Sequence, residues 1–188
     1  MLPAVDVGKS VSRVGGKAQR ATYRAVAGDL KLAYAQFEEL ENFARFGARL
    51  DADSLQIIEH GKRIRACLKQ PESAPVSVPA QIATLMALTA RAFDPVPIDQ
   101  MKDAKHAVHE VATRIPAEVC ARFETATTLS DADRKTILDL DRSALARFQA
   151  DPAAATTPTT EPEPRSAPKP AVNAQAPPNP DAAPQEES

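Results

Sequence analysis

The chain has 188 residues, 43% of them hydrophobic, enough apolar material for one domain of ordinary size with a buried core. With 23 Lys and Arg against 25 Asp and Glu, the formal net charge is −2, so charge does not indicate a surface for nucleic acid or anionic membrane. No apolar run is long enough to span a membrane, and no basic region followed by an apolar one marks a signal peptide, so a soluble, intracellular protein is expected.

Leu2 to Val7 alternates in polarity like a short strand and ends at Gly8, with no partner strand in view. Next comes "SVSRVGGK", residues 10 to 17, where Arg13 stands between hydroxyls and a glycine pair, Gly15 and Gly16, as in a phosphate-contacting loop. It is not a nucleotide-binding fingerprint, because a P-loop needs a longer loop ending in Gly-Lys-Ser/Thr. Helical spacing then takes over. Leu30, Ala33, Phe37, Leu40 and Ala44 share one face of a helix running to about Phe46 and closed by Gly47. Ile57, Gly61, Ile64 and Leu68 repeat the pattern up to Pro71, and Val78, Ile82, Leu85, Thr89 and Phe93 repeat it up to Asp94-Pro95. A further stripe is Ile98, Met101, Val108, Val111 and Ile115, after which Pro116 opens a shorter helix with Val119, Cys120 and Phe123. Ser130 with Asp133 resembles a capping box for a last helix whose core face is Ile137, Leu138, Leu145 and Phe148. Asp141 interrupts that face, which predicts either a frayed end or a partner contact. Short connections between such helices predict an all-α, antiparallel helical bundle.

From Asp151 to Ser188 the composition changes: ten prolines and nine alanines in 38 residues, with Val172 the only large aliphatic side chain. Such a stretch cannot bury enough apolar surface to offset the entropy of ordering it, so a disordered, partly polyproline tail is expected.

Candidate chemistry is sparse. His106, His109 and Glu110 share a helix face and resemble half of a metal site, but no third and fourth ligands are identifiable, so a solvated polar face is the expectation. Glu38, Glu39 and Glu41 read as solvent-facing residues. Lys62, Arg63 and Arg65 read as cations favoured near a helix end, with no ligand needed. Cys67 and Cys120 lack metal-ligand spacing and are expected to be reduced core thiols. No catalytic set of nucleophile, base and orienting acid stands out.

The segments "LPAVDVGKSVSRVGGKAQ", "VAGDLKLAYAQFEELENFARFGARLDADS", "RACLKQPESAPVSVPAQIATL" and "VPIDQMKDAKHAV" resemble, in unbroken order over about residues 2 to 149, the alpha subunit of F-type ATP synthase. The related beta subunit is a poorer match, since it carries threonine and methionine where this protein has Val11 and Val14. The complete alpha subunit of that family has a β-barrel, a nucleotide-binding domain and a C-terminal helical bundle. The resemblance therefore implies a residual edge of the nucleotide-binding domain at residues 1–19, the helical domain at 20–150 and the Pro/Ala-rich tail at 151–188. It also implies that Leu2 to Val7 is a strand of that domain's sheet, and that the family's P-loop is absent because the sequence begins at Met1 inside the domain.

Arg13 corresponds in the resemblance to the arginine finger that alpha extends in trans to the catalytic nucleotide of a neighbouring beta subunit. A planar, permanently charged fork suits γ-phosphate oxygens and the charge that develops in phosphoryl transfer. The resemblance further implies beta and gamma subunits as partners and ATP synthesis coupled to ion transport. Mg-ATP or ADP would be bound in the parent complex, with no cofactor held by this chain, and the location would be cytoplasmic, peripheral on the inner face of an energy-transducing membrane. On its own the protein is not expected to be an enzyme. Two other readings stand beside it: a stand-alone helical interaction module with a Pro-rich recruiting tail, and a metal-dependent enzyme using His106 and His109.

Overall fold

Seven α-helices and two short 3-10 turns account for the secondary structure of residues 12–46 and 49–149, the part that the computed structural model describes, with no strand among the described residues. The expected strand at Leu2 to Val7, the closing Gly47 and the Pro-rich segment from Asp151 onward lie outside them. The helices are α1 (Arg13–Ala18), α2 (Ala21–Arg45), α3 (Ala52–Leu68), α4 (Val78–Thr89), α5 (Met101–Ala112), α6 (Ala117–Thr125) and α7 (Asp131–Leu145), with 3-10 turns at Ile98–Gln100 and Ala146–Phe148.

Short polar side chains fix several helix starts. Asp51 Oδ1 accepts from the Ser54 amide at 2.7 Å, Ser77 Oγ from Ala80 at 3.4 Å and Ser130 Oγ from Asp133 at 3.2 Å, each meeting an otherwise unpaired first-turn N–H. The cap expected at Ser130 is therefore present. Asp133 serves a second purpose, since its carboxylate receives a two-pronged bond from Arg122 on α6, at 2.8 and 2.6 Å. The Arg122 fork, joined by Ser130, holds that carboxyl below the usual range.

The bundle is organised around α4, which carries no charged side chain and buries Ala80, Ile82, Ala83, Thr84, Met86, Ala87 and Leu88. A helix apolar all round belongs in the interior, and α4 packs on α2, α5 and α7. Helices α2 and α3 pair antiparallel: Phe37 meets Gly61 near their middles, while Phe43 and Ile57 line one cleft near their link. The all-α bundle read from the sequence is thus the observed fold.

Several boundaries differ from the sequence expectation. Thr22 and Val26 extend the buried face of α2 one turn and more before Leu30. Helix α4 stops at Thr89, four residues before the buried Phe93. There Arg91 takes a left-handed φ of 56° and the Ala92 amide reaches back to the Ala87 carbonyl at 2.8 Å. This is a helix-ending turn in which arginine holds the place glycine normally takes, so no glycine advertises it. Ile98, expected in the core, is 49% exposed, because it lies in the 3-10 turn before α5. The buried face of α5 is Met101, Ala104, Ala107, Val108 and Ala112, mostly small residues that a search for large apolar side chains passes over. Finally, α7 runs unbroken through Asp141, which is 1% exposed between the fully buried Ile137 and Leu145. The frayed end is not observed.

Candidate functional site

The stretch around Arg13 is a short helix, where the sequence suggested a loop. Ser12 caps α1 by accepting the Gly15 amide at 2.8 Å. A Cβ on Gly15 would sit 2.9 Å from that hydroxyl oxygen, so glycine is what lets the cap close. Arg13 is the first residue of α1; its side chain lies outside the described set. A cation at a helix start faces the positive end of the peptide dipoles, and no acid in the first turn offsets it. With two glycines in six residues, α1 also gains little from intrinsic propensity. Neither the charge nor the composition is there to favour the helix.

None of the described side chains from Ser12 to Arg20 is buried, and Val14 is 80% exposed. Gln19 and Arg20 are extended and lead directly into α2. Arg24 donates to the Gly16 carbonyl at 3.3 Å, and Arg20 pairs with Glu124 of α6 at 2.6 Å. Beneath, the buried Thr22 hydroxyl donates to the Phe123 carbonyl at 3.4 Å. The segment is thus carried on the bundle surface at the junction of α2 and α6.

A second feature sits along α2 and α3. Glu41, expected to face solvent, is half-buried and accepts from Arg65 Nη1 at 2.8 Å and Nη2 at 2.7 Å. The Arg65 guanidinium also lies 4.4 Å over the Phe37 ring, and its Nε donates to the Tyr34 hydroxyl at 3.4 Å. Arg65 pulls the Glu41 carboxyl below its ordinary range, and Glu41 raises the already high value of the guanidinium. Two of the three α3 cations, read from the sequence as favoured by a helix end, are engaged within the bundle: Arg65 pairs with Glu41, and Arg63 donates to the Val96 and Glu59 carbonyls at 3.0 and 2.8 Å. Arg65→Ala is expected to cost about 2 kcal/mol of stability by urea unfolding, the usual size of paired charge-assisted bonds. Arg65→Lys should recover only part of it, since an ammonium loses the fork. A loss within about 0.5 kcal/mol would mark the pair as idle surface decoration.

Beyond that pair, toward the link between the two helices, lies an open cleft of about 560 Å³ lined by Leu40, Phe43, Phe46 and Ile57 together with the polar Gln36 and Ser54. Phe43 and Phe46 are 58% and 88% exposed.

The described residues bring no further ligand to the histidines. His106 is exposed, with Nε2 3.7 Å from Glu110 Oε1. His109 is half-buried on a small cleft beside Cys67, Gln81 and Lys105, and burial first, then the nearby Lys105 and His106, lower its pKa. Among the described residues no group of three or more His, Cys, Asp or Glu is placed to hold a metal ion. Both thiols are free; burial pushes Cys67 up to about 12, so it is an inert core thiol. Lys105 donates to the Cys67 and Lys69 carbonyls at 3.2 and 2.6 Å, closing the end of α3. His60, which the sequence left unremarked, is buried with Nδ1 2.6 Å from Asp94 Oδ1 and ties α3 to the turn after α4. No described helix is long and apolar enough to cross a membrane.

Residues 19–144 match the family described as ATP synthase alpha/beta chain, C terminal domain. The match starts in the link between α1 and α2 and ends one residue short of the end of α7. Among relatives, ATP synthase subunit alpha 2 of Albidiferax ferrireducens is 66% identical over 169 residues, covering 90% of this chain and 32% of that protein. ATP synthase subunit alpha 1 of a Marinomonas species is 64% identical over 151 residues, 80% of this chain and 30% of that protein. ATP synthase subunit alpha 1 of Chlorobium luteolum is 52% identical over 144 residues, 77% of this chain and 28% of that protein. The chain spans about a third of the length of the curated relatives it matches. The 169-residue match is longer than the stretch preceding Ala150, so it runs into the Pro-rich segment.

Proposed function

Given that the protein belongs to the family of C-terminal domains shared by the alpha and beta subunits of ATP synthase, we propose that it acts as the C-terminal helical part of an alpha subunit in an F-type catalytic head, regulatory and not itself catalytic. In this reading Arg13 works in trans, at the catalytic nucleotide of a neighbouring beta subunit, in ATP synthesis coupled to ion transport. The observation that carries it is the position of Arg13: first in a surface helix whose glycines and dipole do not favour it, carried beside a bundle that matches the family. A guanidinium fork suits γ-phosphate oxygens, and supplying it from a neighbouring subunit makes turnover depend on assembly. The exposed phenylalanines near the link of α2 and α3 support a protein-contact role within the head, shared with beta and gamma subunits. The head would lie peripherally on the inner, cytoplasmic face of an energy-transducing membrane.

Nucleotide, as Mg-ATP or ADP, belongs to the parent complex in this proposal, and this chain holds none of it. Calorimetric titration of the 188-residue protein with Mg-ATP is expected to give no saturable heat; micromolar binding would make it a nucleotide protein in its own right. Loss of ATP turnover on replacing Arg13 in an assembled complex is the decisive experiment.

A further inference from the structure

One buried titratable group has no part in any of this. Asp141 is 1% exposed on α7, its neighbours one turn either way, Ile137 and Leu145, are fully buried, and neither carboxyl oxygen has a hydrogen-bond partner. Helix α7 packs on α4 and α5. Helix α4 carries no titratable side chain at all. On α5, Lys105 is engaged with the carbonyls at the end of α3, His109 lies on the cleft beside Cys67, and Lys102, Asp103, His106 and Glu110 are exposed. On the turn that follows α7, Arg147 lies over the Phe148 ring, and on α7 itself Arg142 and Lys135 pair with Asp139. Arg134, half-buried two turns earlier on α7, gives it no hydrogen bond either, and among the described residues neither Asp141 oxygen has any partner.

We propose that α7 docks on α4 and α5 with Asp141 in its neutral, protonated form, making this one carboxyl a proton-controlled latch on the last helix of the bundle. A carboxylate enclosed by apolar side chains without a partner is expelled toward water or takes a proton. Burial raises this carboxyl to about 8. An unfolded polypeptide holds the same group at about 3.9. Below the unfolded value both states carry the proton and the contribution to stability is complete. As pH rises between the two values, the folded state alone keeps the proton, so stability falls steadily; above the folded value nothing more is lost. The direction is opposite to that of Glu41 and Asp133, whose depressed values contribute stability that is lost as pH falls.

The test compares urea unfolding of the full-length protein with that of Asp141→Asn, which cannot charge. Between pH 5 and pH 7 the ratio of wild-type to variant unfolding constants should rise about 100-fold, one proton's worth over two pH units. A ratio that stays constant over that range would overturn the proposal, because it would mean that Asp141 is already ionised in the folded protein. An independent reading needs no variant: carbon-13 NMR of the Asp141 carboxyl in the full-length protein should titrate near pH 8. A midpoint near 4, about the ordinary aspartate range, would overturn the latch whatever the variant does.

Discussion

In a complex reconstituted from beta and gamma subunits and an alpha subunit that ends in this sequence, replacing Arg13 with alanine is expected to lower steady-state ATP hydrolysis by about 10³-fold. The guanidinium is proposed to meet charge that develops on the γ-phosphoryl oxygens, so its removal should act on turnover far more than on nucleotide affinity at beta. Arg13→Lys should restore little, because a point charge cannot reproduce two parallel hydrogen bonds to the same group. A loss of assembly would look similar in a bulk assay, so the complex must first be shown intact by gel filtration. Normal turnover from an intact Arg13→Ala complex would reduce the residue to the opening of a short helix.

The second large effect is expected at Gly61, from sterics alone. A Cβ built there would lie 2.0 Å from Phe37 Cγ and 2.3 Å from Phe37 Cβ. These atoms sit next to the α2 backbone, so they cannot swing aside as a side-chain tip could. Glycine within an exposed helix is worse than alanine by about 1 kcal/mol; here that preference should reverse. Gly61→Ala is expected to destabilise the protein by about 3 kcal/mol, the upper part of the range for overpacking, because α2 and α3 must separate to admit the methyl group. Chemical denaturation reads this directly. Phe37→Gly, which removes the Cβ as well as the ring, should be costly alone, as loss of a fully buried side chain, yet the double variant should cost clearly less than the two single costs added together, because every clashing atom of residue 37 is then gone. Simple additivity would show that the methyl group is accommodated without touching Phe37.

The parts of the fold that were legible in the sequence follow from strong local signals. Leu30, Phe37, Ile64, Ile82, Val108 and Ile137 recur at helical spacing and are all buried, and Ser130 stands where a cap belongs. What escaped was set by tertiary context. The end of α4 rests on an arginine in a left-handed conformation, against the local preference. Glu41 and Arg65 are 24 residues apart and look like separate surface charges until α2 and α3 pair. The face of α5 depends on alanines, which carry little signal of burial. Around Arg13 the difference is sharper: Gly15 and Gly16 argue locally for a loop, yet the segment closes into a capped helix. Its proposed role rests on the resemblance of the whole stretch and not on any local rule.

The contacts of α6 with the start of α2 have a consequence for how the protein is made. Thr22 reaches the Phe123 carbonyl and Arg20 reaches Glu124, spans of 101 and 104 residues. On a ribosome adding about 5 to 20 residues per second, the start of α2 therefore waits roughly 5 to 20 s for its partners to be synthesised. Until then Thr22 stays in water, and the short helix that leads into α2 has nothing on α6 to settle against. The segment that carries Arg13 is thus translated well before α6, and the contacts that anchor its exit into α2 can form only once residue 124 has been made.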